Sequence, residues 1–166
     1  FLERNPGLKI AVLSSAWGGY THTVANRVAR GANEGASLPF AHAAAETIKI
    51  LRTRGIEVLV IGQVPHLDIF SLHCYVDAAR NDSEEVDCMT PRAYVDAALD
   101  ASENAFRSIA GTDKDVEFIS MRDILCTEQL CSPFKDEVLL YRDRTHLSGI
   151  GAAYLARYTS LPVLNP

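Results

Sequence analysis

Two short apolar runs, Lys9-Ile10-Ala11-Val12-Leu13-Ser14 and Glu57-Val58-Leu59-Val60-Ile61-Gly62, constrain the fold of this 166-residue chain more than any other feature. Neither alternates between apolar and polar residues, so each predicts a parallel strand covered on both faces. Parallel strands require helical crossovers between them. Those crossovers are legible. Ala41 to Arg54 places Ala44, Ile48 and Leu51 on one helical face and stops at Gly55, immediately before the second run. A longer helical segment, Ala93 to Ala110, closes with Gly111 and feeds Val116-Glu117-Phe118-Ile119-Ser120, a third predicted strand. Helix followed by apolar strand, repeated, is the grammar of an α/β fold with a parallel sheet.

The remaining segments narrow the function. A net charge of -5 with scattered Lys and Arg excludes a sequence-independent nucleic-acid binder, which needs a basic stripe. No linker, repeat or low-complexity tract divides residues 1–166, so a single domain is expected. The first residues, Phe1 to Pro6, have no signal-peptide character, and no apolar run is long enough to span a bilayer. Because the chain starts at Phe1 rather than Met, a few residues before a core strand, an N-terminal part is expected to precede it.

Four cysteines allow three connectivities. Their spacing favours two local disulfides, Cys74–Cys88 and Cys126–Cys131, in an exported domain; closing the first loop is worth on the order of 3 kcal/mol in the chain-entropy model. The alternatives are four reduced, buried thiols, or a zinc site built from Cys74, Cys88, His66 and His73, although no tight ligand pair supports a metal centre. The stretch from Gly62 to Thr90, with Pro65, these histidines and the acidic run Asp82-Ser83-Glu84-Glu85, reads as a long loop. It leaves the C-terminal end of a strand, where ligands bind in open α/β sheets.

Chemistry concentrates near the C-terminus, in Tyr141-Arg142-Asp143-Arg144-Thr145-His146-Leu147-Ser148-Gly149. Ser148 is a good N-cap for a helix from Gly149 to Tyr158, which puts Asp143 and His146 in the loop entering it. At that spacing the carboxylate reaches one ring nitrogen of the imidazole and leaves the other as a general base. A serine nucleophile is the usual third member, but no Gly-Asp-Ser or Gly-x-Ser-x-Gly segment occurs in the chain. Ser14 and Ser15, at a strand end, are weak substitutes because no glycine elbow precedes them. His22, His42, His66 and His73 read as structural or exposed, His66 being the best placed of them.

The block Cys126, Cys131, Tyr141, Asp143, His146, Leu147, Ser148, Gly151 and Ala152 resembles the last block of SGNH hydrolases. It is most similar to the periplasmic SGNH domains fused to membrane acyltransferases of the acyltransferase-3 type, which O-acetylate cell-surface glycans. Lys9 to Tyr20 resembles the strand and Trp-containing turn of the same domains. The resemblance implies a flavodoxin-like three-layer SGNH fold whose N-terminal part, with the serine, lies before Phe1. It implies Asp143 as orienting group and His146 as base. Trp17 and Gly18, on the turn after the first strand, and His66, after Pro65 at the end of the second, are candidate substrate-binding residues. Trp17 has a second reading as a core residue. The family's Gly-x-Asn-Asp block should fall near Ser14 to Trp17, where no Asn stands, so the oxyanion donor is unassigned. The resemblance further implies a carbohydrate acceptor, no cofactor held by this domain, acetyl-CoA as an upstream donor through a linked membrane domain, and periplasmic placement tethered to the inner membrane. Two alternatives use the same residues: a carbohydrate esterase, or a non-catalytic glycan-binding domain that keeps only the Asp-His loop.

Overall fold

The computed structural model describes residues 2–21, 39–68, 74, 76–77, 80 and 88–158. The acidic run at 82–85, His22 and His73 lie outside the described residues. The chain divides into two compact units, Phe1–Gln63 with Leu99–Ser120, and Val64–Ala98 with Met121–Pro166.

The first unit holds the parallel sheet. Strands β1 (Ile10–Ser14), β2 (Glu57–Ile61) and β4 (Val116–Ile119) are ordered β1-β2-β4, with Ile10 opposite Glu57 and Val58 opposite Val116. Helices α1 (Phe40–Arg52) and α2 (Arg92–Ala110) lie between them in sequence, so each parallel step has a helix in its connection. The architecture is α/β with a parallel three-stranded sheet, as expected of an SGNH, flavodoxin-like fold. Predicted and observed elements agree within two residues at each end.

β2 is the centre of this unit because it is covered on both faces: Val58, Leu59 and Val60 are buried. Burying each such side chain contributes about 1.5–3 kcal/mol. Val58 and Val60 join Ile48 and Leu51 of α1, Ile56, Phe106 of α2 and Val116 in one hydrophobic cluster. β1 departs from expectation. It is the edge of the described sheet and Val12 is 54 % exposed, so the prediction of two covered faces fails there. An unbroken apolar run identifies a strand without identifying its neighbours.

The end of α1 shows why Gly55 stands where it does. Its φ of 70° lies in the left-handed region, which lets Gly55 N–H reach Arg52 O at 2.9 Å and Ile56 N–H reach Leu51 O at 3.2 Å. This paired closure ends the helix and turns the chain into β2. Arg52 locks the same corner, donating from Nε to Asp113 at 3.0 Å, from Nη2 to Asp115, and from Nη1 to Ile56 O at 2.9 Å. Gly111 ends α2 differently, with N–H to Arg107 O at 2.9 Å and no left-handed φ.

The second unit contains elements too short for any periodicity to reveal. β3 (Thr90–Pro91) pairs antiparallel with β5 (Leu130–Cys131), α3 spans Met121–Leu125, and β6 (Phe134–Lys135) forms a hairpin with β7 (Val138–Leu139). Disulfides join Cys74 to Cys88 and Cys126 to Cys131, so the local pairing holds and neither the free-thiol nor the zinc reading survives. The last helix, α4 (Gly149–Tyr158), has the expected bounds.

The β6–β7 turn carries Asp136 at φ 47° and Glu137 at φ 65°, left-handed values that favour Gly at the second position of such a two-residue turn. Glu137→Gly is therefore expected to stabilise by about 1 kcal/mol, raising Tm by roughly 2–4 °C. Differential scanning calorimetry reads this directly; a lowered Tm would mean that the Glu137 side chain contributes more than its backbone conformation costs.

Candidate active site

The Asp143–His146 loop hangs between two fixed points of the second unit. Upstream, Leu140 and Tyr141 are buried, and the Tyr141 hydroxyl donates to Pro65 O at 2.9 Å. Burial pushes the Tyr141 phenol well above its ordinary value, so it remains a donor. Downstream, Ser148 caps α4, its Oγ accepting Gly151 N–H at 2.9 Å, and Ser148 N–H returns to Leu140 O at 2.8 Å. Between them Arg142 N–H bonds His146 O at 2.9 Å, and Tyr141 and Leu147 form an antiparallel bridge. The result is a short closed loop.

Within it, Asp143 organises its own turn. Oδ1 accepts Thr145 N–H at 2.9 Å, Thr145 Oγ1 at 3.0 Å and His146 N–H at 2.9 Å. His146 Nδ1 lies 3.0 Å from each carboxylate oxygen and 2.9 Å from Thr145 Oγ1. The Thr145 N–H does most to hold the Asp143 carboxyl far below its usual range; the His146 ring, the Thr145 hydroxyl and the His146 N–H add to this against partial desolvation. A depressed folded value means that this stabilisation is complete above the ordinary carboxylate range and is lost as pH falls toward the folded value. At neutral pH the carboxylate is therefore charged, and it favours the imidazole tautomer with its proton on Nδ1. Nε2 is left as the basic atom. The His146 side chain is 65 % exposed, so a reactant can approach it.

His66 belongs to the same unit and is tied to this loop. Leu67 N–H donates to Arg144 O at 2.8 Å, and Tyr141 holds Pro65 on the other side. Partial desolvation, followed by the charge His146 would carry, lowers the His66 imidazole below its ordinary value although much of the residue meets solvent. A neutral imidazole can both donate and accept.

Trp17 and Gly18 lie in the first unit. Trp17 Nε1–H donates to Ile61 O at 2.8 Å, and its ring meets Phe106 edge-on at 5.0 Å and Phe40 at 6.3 Å, against the hydrophobic cluster. Gly18 N–H donates to the buried Gln63 Oε1 at 2.8 Å. Ser14 is exposed at the end of β1. Sequence reasoning passed over Gln63 and Thr145. Gln63 has no local signal, whereas a Thr two residues after an Asp fits the spacing of an Asx turn.

A family model described as the SGNH domain (fused to AT3 domains) matches residues 1–159. The chain belongs to this family. No curated protein and no solved structure matches it. Membership places the SGNH chain among domains of esterase and acyltransferase type, and the fusion named in the family's description fits a membrane acyltransferase as partner domain. Two disulfides fit an extracytoplasmic SGNH domain. Among the described residues no helix is long and apolar enough to cross a membrane, and no cluster of His, Cys, Asp and Glu is arranged to hold a metal.

Proposed function

We propose that this SGNH domain is the catalytic half of an O-acyltransferase that transfers an acetyl group to a hydroxyl of a cell-surface carbohydrate on the periplasmic side of the inner membrane. The observation that carries the reading is the Asp143–His146 pair, with Nδ1 3.0 Å from both carboxylate oxygens and an exposed ring. Its serine partner would come from sequence preceding Phe1. A linked membrane domain would deliver the acyl group from acetyl-CoA.

In the first step His146 Nε2 takes the serine proton as the hydroxyl oxygen attacks the acyl carbonyl, and the donor leaves with that proton. In the second step Nε2 takes the proton of the acceptor hydroxyl, whose oxygen attacks the acyl-serine, and returns it to the departing serine. Asp143 holds the ring and stabilises the imidazolium in both steps. Exposure of His146 to water also supports a carbohydrate esterase, in which water replaces the acceptor. The same pair serves either outcome.

The test is acyl-enzyme trapping in the full-length protein. After incubation with p-nitrophenyl acetate and acid quench, peptide mass spectrometry is expected to find an acetylated serine N-terminal to Phe1, discharged by added carbohydrate acceptor. Discharge by water alone assigns the esterase. An adduct on Ser14 or Ser15, or none at all, overturns the triad.

A further inference from the structure

The chain is acidic as a whole, with 21 Asp and Glu against 16 Lys and Arg, yet in the Asp-His loop Arg142 and Arg144 flank Asp143. Both are exposed. The Arg142 side chain is 70 % exposed, and its one ion pair among the described residues is with Asp143 Oδ2, 3.6 Å from Nη2. No ion pair among the described residues engages the Arg144 guanidinium, while its backbone carbonyl is fixed by Leu67 N–H at 2.8 Å. The backbone of Arg144 is thus anchored, and its side chain is exposed two residues from His146 in the same closed loop. Asp143, the acidic residue between them, is held mainly by Thr145 and His146 and meets Arg142 at the longer distance of 3.6 Å. His66, a neutral donor and acceptor, stands on the segment strapped to the same loop.

Resting on the acyl-transfer reading, we propose that the acceptor is an anionic sugar, whose carboxylate or phosphate is held by Arg142 and Arg144 while its reacting hydroxyl faces His146. A guanidinium suits such groups because its planar fork of N–H donors matches two anionic oxygens at once. One opposing charge sits on the strap, Asp68, whose own N–H is held by Thr90 Oγ1 at 2.9 Å.

The experiment is an NMR titration of the full-length protein, following the His146 ring and the arginine Nε–H signals. The probes are methyl glucuronide, methyl glucoside and glucose 6-phosphate. The glucuronide or the sugar phosphate is expected to bind about tenfold more tightly than the neutral glucoside at low salt, with the advantage shrinking as ionic strength rises. Whichever of the two anions binds more tightly identifies the group recognised. R142Q and R144Q are each expected to weaken anion binding roughly threefold to fivefold, and D68N to strengthen it. Equal affinity for the anionic and neutral sugars, or an anion preference untouched by the R142Q/R144Q double variant, overturns the proposal. Because the titration reads binding, failure of the trapping experiment leaves it interpretable. An intact anion preference without an acyl-enzyme would then mark a carbohydrate-binding domain.

Discussion

His146→Ala in the full-length protein is expected to lower acyl transfer by roughly 10⁴- to 10⁶-fold, because in the proposed mechanism the ring that Asp143 orients is the proton acceptor of the serine. The fold should survive. The side chain is 65 % exposed, and the loop keeps its Thr145 and backbone bonds to Asp143. Circular dichroism and Tm should therefore match the parent while turnover disappears. Asp143→Asn should fall less far, and the double variant should be little worse than His146→Ala alone, since the two residues act as one device. Near wild-type transfer by His146→Ala would remove the pair from the mechanism.

Gly151→Ala is expected to be the most damaging single methyl that can be added to the second unit. A Cβ there would overlap the carbonyl oxygen of Leu140 and lie 2.7 Å from both its carbonyl carbon and its Cα. Those are backbone atoms of a fully buried residue, so no flexible side chain can move aside. The cost should reach about 3 kcal/mol, the upper end for overpacking, which lowers Tm by roughly 6–12 °C. Activity should fall as well, because Leu140 and Ser148 are the two points from which the His146 loop hangs. Gly149→Ala is the matched control. Its Cβ meets nothing within 4 Å, and thermal melts should place it at or slightly above the parent. Equal Tm values for the two variants would show that α4 does not need its close approach to Leu140.

The architecture was legible because its signals are local. The runs at Lys9–Ser14, Glu57–Gly62 and Val116–Ser120 announce strands, and Gly55 announces the end of a helix, since burial on both faces and a left-handed φ each leave a mark within a few residues. Ser148 declared the start of α4 in the same way, which placed Asp143 and His146 on the loop before it. The family likeness of that block did the rest, and the match over residues 1–159 agrees with it. By contrast, β3, β5, β6 and β7 are two residues long, below any readable period.

What the sequence by itself determined is therefore the type and order of the main elements, the placement of the Asp-His pair on the loop before α4 and the local pairing of the cysteines. Tertiary structure alone decided that β1 leaves Val12 exposed and that Trp17 joins an aromatic cluster with Phe40 and Phe106. It also decided that Gly18 N–H is taken by Gln63, 45 residues away, and that Tyr141 ties the Asp-His loop to Pro65 across 76 residues. The physical reason is range. Propensity, capping and turn chemistry act over a few bonds, whereas exposure and long-range hydrogen bonds depend on which distant segment arrives, and only the folded chain specifies that.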